Sequence, residues 1–120
     1  MTVKTHAAAT ERVSSDAAIE AVRGELLSWD GVEEYIGQRG ELAFRLGRRE
    51  LGHVHGTSAH LPMPRRIRDE LIAEGRVRPH PVMPDSGWLH SDMHTRAGLA
   101  STLELFRMAY DRAAAANARR

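Results

Sequence analysis

Apolar residues recur along this chain with two periods, and the switches between them mark out its elements. Ile19, Val22, Leu26 and Trp29 stand at helical spacing and predict a first helix with one buried stripe. Ser14 or Ser15 caps it, Asp16 suits its first turn, and Asp30-Gly31 ends it. Val32–Ile36 reads as a strand, followed by a turn over 37–40. Leu42, Phe44 and Leu46 then alternate with Glu41, Ala43, Arg45 and Gly47, the pattern of a half-buried strand. Gly47-Arg48-Arg49 turns the chain, and residues 50–56 return. A two-residue loop at 47–48 or 48–49 puts Leu51, His53 and His55 on the face of Leu42, Phe44 and Leu46. A three-residue loop reverses the face, because side chains alternate with period two. The expectation is therefore two histidines projecting from the apolar face.

The second half alternates more slowly. After Ala59, His60 and Leu61, Pro64 suits the first turn of a helix that buries Ile67 and Leu71 and stops at Gly75. Residues 79–87 form a proline-stiffened loop, and residues 88–93 a last strand. From about Arg96 a final helix carries Leu99, Leu103, Phe106 and Tyr110 on one stripe. The order is α-β-β-β-α-β-α, an α+β domain: an antiparallel sheet of four to five strands with three helices in a single layer on one face. Strands cluster instead of alternating with helices, which argues against a doubly wound sheet. Residues 1–13 read as a disordered tail, 14–113 as the domain, and 114–120 as a frayed end.

Composition narrows the chemistry. The 120 residues contain no cysteine, which removes thiol nucleophiles, disulfides and sulfur-ligated metal centres, and fits a cytoplasmic setting. No apolar run is long enough to cross a bilayer. The net charge of +1 hides an uneven layout, since residues 39–80 hold nine basic and five acidic side chains. That bias is too weak, and the aromatics too few, for a nucleic-acid surface. Neither a dinucleotide fingerprint nor a P-loop is present.

Seven histidines carry the concentrated chemistry. His53 and His55, alternate on a strand, can share one metal ion, with His60 as third ligand and Glu50, His80 or Asp85 as additions. The same pair can instead do acid–base work, or can be satisfied polar residues near a sheet edge. His80 with Asp85 resembles a carboxylate-oriented general base. Ser86 is a nucleophile candidate outside any hydrolase elbow, and Asp85-Ser86 equally suits a turn. Trp88, His90, Asp92 and His94 share a strand face opposite Leu89, Ser91 and Met93, read as solvated. Arg65, Arg66 and Arg68 open the second helix and can hold an anion, although Asp69 and Glu70 can pair with them.

Several of these pieces together resemble the luciferase-domain family of small bacterial and fungal proteins. They are Glu50-Leu51-Gly52-His53-Val54-His55-Gly56, then Leu61-Pro62-Met63-Pro64 running to Leu71, then His80 and Pro84-Asp85-Ser86-Gly87-Trp88. The similarity covers roughly residues 42–112. It supports His53, His55 and His80 independently of their spacing, and its name implies no light-emitting reaction, substrate or cofactor here. The family tends to have an aspartate where this chain has His60.

These observations lead to the expectation of a small enzyme acting on an organic metabolite by histidine acid–base chemistry, with no redox cofactor. His53, His55 and His80 are its catalytic residues, and Trp88, Asp85, Ser86, His60, Arg65 and Arg68 contact the ligand. The alternative is a non-catalytic module binding a small ligand or a divalent metal through His53, His55 and His60. A weaker alternative is a protein-interaction domain that uses its sheet edge.

Overall fold

A computed structural model of the chain describes residues 8–119. Residues 1–7 of the expected tail, and Arg120, lie outside them. Residues 8–10 form a helical turn, and Arg12 makes a β-bridge with Thr95. Helix α1 (Ser15–Leu26) starts where Ser14 accepts a hydrogen bond from the Ala17 amide at 3.1 Å, and it buries Ala18, Val22 and Leu26.

Six antiparallel strands follow the predicted architecture with two additions. They are β1 (Val32–Ile36), β2 (Leu42–Leu46), β3 (Arg49–His55), β4 (Ser58–Pro62), β5 (Arg78–Pro79) and β6 (Trp88–Asp92). Helix α2 (Arg65–Ala73) lies between β4 and β5, and α3 (Arg96–Ala118) closes the chain. The sheet order is β1-β2-β3-β4-β6-β5, so the first four strands form a meander and β6 inserts beside β4. Beyond the expected set are the two-residue β5 and a full β4 built from the residues around Ala59-His60-Leu61. Helix α3 crosses β2, β3, β4 and β6 and also meets α1. Phe44 from the sheet and Phe106 from α3 meet edge to face at 6.1 Å, both fully buried. Leu51, Val54, Ala59, Leu61, Leu89 and Met93 complete the sheet's contribution to the core.

The hairpin between β2 and β3 overturns the expected histidine face. Its loop is Gly47-Arg48, two residues long as predicted, with Gly47 at φ 64° and Leu46 paired to Arg49. Arg45 pairs with Glu50, but Phe44 pairs with Gly52, so Leu51 is an extra residue on β3. A bulge of this kind leaves two residues opposite one and shifts every later side chain to the other face. Leu51 still enters the core. His53 now stands opposite Ala43, and His53 and His55 point away from Phe44 and the helices.

Candidate functional site

The bulge brings the site's first pair together. Glu50 and His53 flank the extra residue and share the outer face, so Glu50 Oε2 lies 2.9 Å from His53 Nδ1. Strand pairing supplies the rest: His53 is in register with His60 on β4, and His60 with His90 on β6. Three imidazoles thus form a row across the sheet. His53 Nε2 is 3.3 Å from His60 Nδ1, and His60 Nε2 is 3.1 Å from His90 Nδ1. At the far end His90 Nε2 lies 3.1 Å from Asp92 Oδ1 and 3.0 Å from the Arg78 guanidinium, which also binds Asp92.

The outer face is roofed by the proline loop. His80 follows β5 and folds over the row, its ring 4.4 Å from that of His60. Its Nδ1 accepts the amides of Val82 and Met83, each at 3.1 Å. The loop is clamped by Arg68, which donates to the carbonyls of Pro84 and Ser86 while also holding Asp69. Trp88 packs against the His53 ring at 5.3 Å. As a result His60 is 9% and His80 7% exposed, while the side chains of His53 and His90 are 15% and 13% exposed. His55 is exposed, with its ring 5.1 Å from that of His53 and 5.5 Å from that of His60.

Electrostatics follow from that burial. His60 is pushed down to about 4, first by loss of solvent and then by the positive potential of His80, His53, His90 and His55. His80 is lowered for the same reasons, with His53 its strongest charged neighbour. Burial opposes the Asp92 charge, but hydrogen bonds from Arg78 and His90 outweigh it and hold the carboxyl below its usual range.

Counting protons shows what the row can do. An ionised carboxylate only accepts, so Glu50 holds a proton on His53 Nδ1 and Asp92 holds one on His90 Nε2. Three neutral imidazoles carry three protons, which leaves one proton for the two internal contacts. One of those contacts is then a pair of facing lone pairs until a fourth proton, or a cation, fills it. Arg78 offers the alternative, since donating to His90 Nε2 releases that nitrogen from Asp92. With Arg78 donating to His90 Nε2 the neutral row fills both internal contacts, and with Asp92 there instead one contact stays open to a proton or a cation.

The other predicted site residues, Asp85, Ser86, Arg65 and Arg68, do not join the row. Asp85 is exposed and makes no hydrogen bond or ion pair among the described residues, so no carboxylate orients His80. Ser86 donates to the Met83 carbonyl at 2.7 Å and accepts the Trp88 amide at 3.1 Å, which is turn chemistry. Arg65 is exposed on α2. Arg68 is engaged with the loop carbonyls. The reading of His90 as a solvated surface residue is corrected: it completes the row, and Asp92 and Arg78 finish it. His94 is exposed as expected. The same-face pattern of Trp88, His90 and Asp92 was visible in the sequence, but only the β4–β6 pairing places it against His60.

Donor nitrogens of His53, His55 and His60 lie within 4.8 Å of one another, a set that could hold a metal ion. No helix among the described residues is long and apolar enough to cross a membrane. A family model described as the luciferase domain matches residues 48–109, just over half of the 120 residues, and the chain belongs to that family. The match runs from the start of β3 into α3 and includes Glu50, the row of three histidines, His80 and Trp88. No curated protein and no solved structure matches the chain.

Proposed function

We propose that this member of the luciferase domain family is a small enzyme that acts on an organic metabolite by histidine acid–base chemistry. The observation that carries the reading is the unbroken row Glu50–His53–His60–His90–Asp92, in which each imidazole contacts the next and a carboxylate closes either end. His53 is the base. Glu50 fixes its tautomer and stabilises the imidazolium that forms, and the ring sits where the cluster is still partly open to solvent. A proton gained at His53 passes to His90 by a change of tautomer at His60, and Asp92 stabilises it there. His60 itself is a poor resting place for charge because burial and four neighbouring imidazoles oppose it. His55 stands at the mouth, while His80 and Trp88 wall the site. This chemistry suits isomerisation, elimination, cyclisation or hydrolysis.

Turnover of a generic proton-abstraction substrate, 5-nitrobenzisoxazole, tests the reading. The wild-type domain should exceed free imidazole at equal concentration by about a hundredfold. His53→Ala should lose that advantage while keeping its circular dichroism spectrum. A rate that survives both His53→Ala and Glu50→Gln would place the base elsewhere.

A second reading is a divalent metal site on His53, His55 and His60. It is favoured by the 3.3 Å gap between His53 Nε2 and His60 Nδ1, matching the roughly 3.3 Å between two nitrogens of a tetrahedral zinc ion with bonds of about 2.0–2.1 Å. Glu50 on His53 and His90 on His60 would then be the outer hydrogen-bond partners such ligands require. Calorimetric zinc titration distinguishes the readings: stoichiometric binding lost in His55→Ala favours the metal.

A further inference from the structure

A groove of about 640 Å³ opens at one end of the sheet, where the start of β3 and the turn after β4 meet the C-terminal half of α3. None of the histidines lines it. It nevertheless adjoins their site at two points: Glu50 lines the groove and binds His53, and Pro62 lines it and pairs in register with Trp88. Two features define its chemistry. Ala109, Ala113 and Ala116 recur at helical spacing on α3 and, with Met63, offer an apolar lining. Arg49, Arg112 and Arg119 are three exposed cations on the same groove, against the single carboxylate of Glu50.

The arginines are unspent. Among the described residues none of the three makes a side-chain hydrogen bond or ion pair, a state they share with Arg12, Arg39, Arg48, Arg65 and Arg66, but these three alone line the groove. Three uncompensated guanidinium groups around an apolar groove repel one another and attract an anion. Guanidinium binds carboxylate through two parallel hydrogen bonds. The volume lies within the range of about 300–1,000 Å³ that small organic ligands occupy.

We propose that this groove holds the substrate of the histidine site, and that the substrate is an organic acid with an apolar body. Its carboxylate sits among Arg49, Arg112 and Arg119, its body lies along the alanines and Met63, and its far end lies at Glu50, the groove residue that also binds His53. The ligand's reactivity rests on the acid–base reading; its binding does not.

The test is an NMR titration of the full chain with octanoate, octanamide and inorganic phosphate, following the amides of Met63, Ala113 and Ala116. Octanoate should shift these amides and saturate, with octanamide and phosphate each about tenfold weaker or worse, the loss of one charge-assisted contact or of the apolar one. Arg49→Gln/Arg112→Gln, both on exposed positions, should weaken octanoate about tenfold and leave octanamide unchanged. Equal binding of acid and amide, phosphate binding as tightly as octanoate, or shifts confined to other residues would overturn the proposal. Failure of the acid–base reading alone would show as 5-nitrobenzisoxazole turnover surviving His53→Ala while octanoate binding stays intact.

Discussion

Replacing Gly52 with alanine strikes the bulge that orients the whole site. Gly52 has φ +153°, a region that residues with a Cβ rarely adopt, and it packs where no side chain fits. A Cβ there would lie 2.7 Å from the His60 carbonyl oxygen, 2.7 Å from Phe106 Cε1 and 3.1 Å from Leu61 Cγ. None of these can retreat cheaply. The carbonyl belongs to the neighbouring strand, and Phe106 is fully buried against Phe44. Backbone strain costs about 1–3 kcal/mol and overpacking about 1–3 kcal/mol, while stiffening the unfolded chain returns up to about 1 kcal/mol. The net is a loss of about 1–6 kcal/mol, centred on about 3–4 kcal/mol. For a domain of this size each kcal/mol moves the melting temperature by roughly 3–5 °C, so a loss at the centre of that range melts Gly52→Ala roughly 10–20 °C below wild type. Urea denaturation with thermal melting measures it. Gly24→Ala on α1 is the control: nothing lies within 4 Å of its Cβ, and a helical alanine should stabilise by up to about 1 kcal/mol. A Gly52→Ala protein that melts within a degree or two of wild type would refute the close approach of β3 to β4, and with it the origin of the His53–His60 contact.

Three further outcomes follow from the site. Glu50→Gln should release the fixed Nδ1–H tautomer of His53, visible in imidazole 15N shifts, while costing no more than about 1 kcal/mol because the pair is partly exposed; an unchanged tautomer would mean that Glu50 does not orient the base. Arg68→Ala should free the proline loop, so that hydrogen exchange at Val82 and Met83 accelerates while Leu61 and Leu89 in the core stay protected. Stability should fall in mild acid. His60 titrates near 4 folded and near 6.5 unfolded, so between these values the unfolded chain binds more protons. Its contribution is complete above about pH 6.5 and is lost as pH falls toward 4, a loss on the order of 3 kcal/mol, with His80 acting in the same direction. A urea midpoint equal at pH 7.5 and 4.5 would contradict the burial of these rings.

Local signals carried most of the fold. Ser14 caps α1, Gly47-Arg48 forms the hairpin loop, Pro64 precedes α2, and the Leu99-to-Tyr110 stripe lies on α3, all as their residue chemistry predicts. The histidine face was misjudged because turn length was not the deciding variable. The bulge was, and its clue was Gly52 inside an otherwise regular strand pattern. What requires a bulge there is the nearness of His60 and Phe106, which is tertiary and has no local signature. His90 shows the same limit in another form. Its strand face was read correctly, but whether that face is solvent or site depends on β6 lying beside β4, a pairing across the whole α2 and loop segment. His53 and His60, by contrast, are close in sequence, and their strands are neighbours joined by a short turn.

The two faces of the sheet also divide the work of the molecule. The helix-side face is apolar and holds the fold together. The other face places three of its imidazoles under a loop held by one arginine, where apolar side chains of similar size would be the more stable choice. Burying His60 neutral among four other imidazoles weakens the protein in acid, so stability alone does not account for that arrangement. Core and site residues alternate on the same strands: Val54 lies between His53 and His55, and Leu61 follows His60. Packed interiors transmit small displacements without absorbing them. A core substitution that moves β3 against β4 by a few tenths of an ångström therefore acts directly on the His53–His60 contact, and the reach between these two nitrogens is set from the opposite side of the sheet by Phe106 and Leu61.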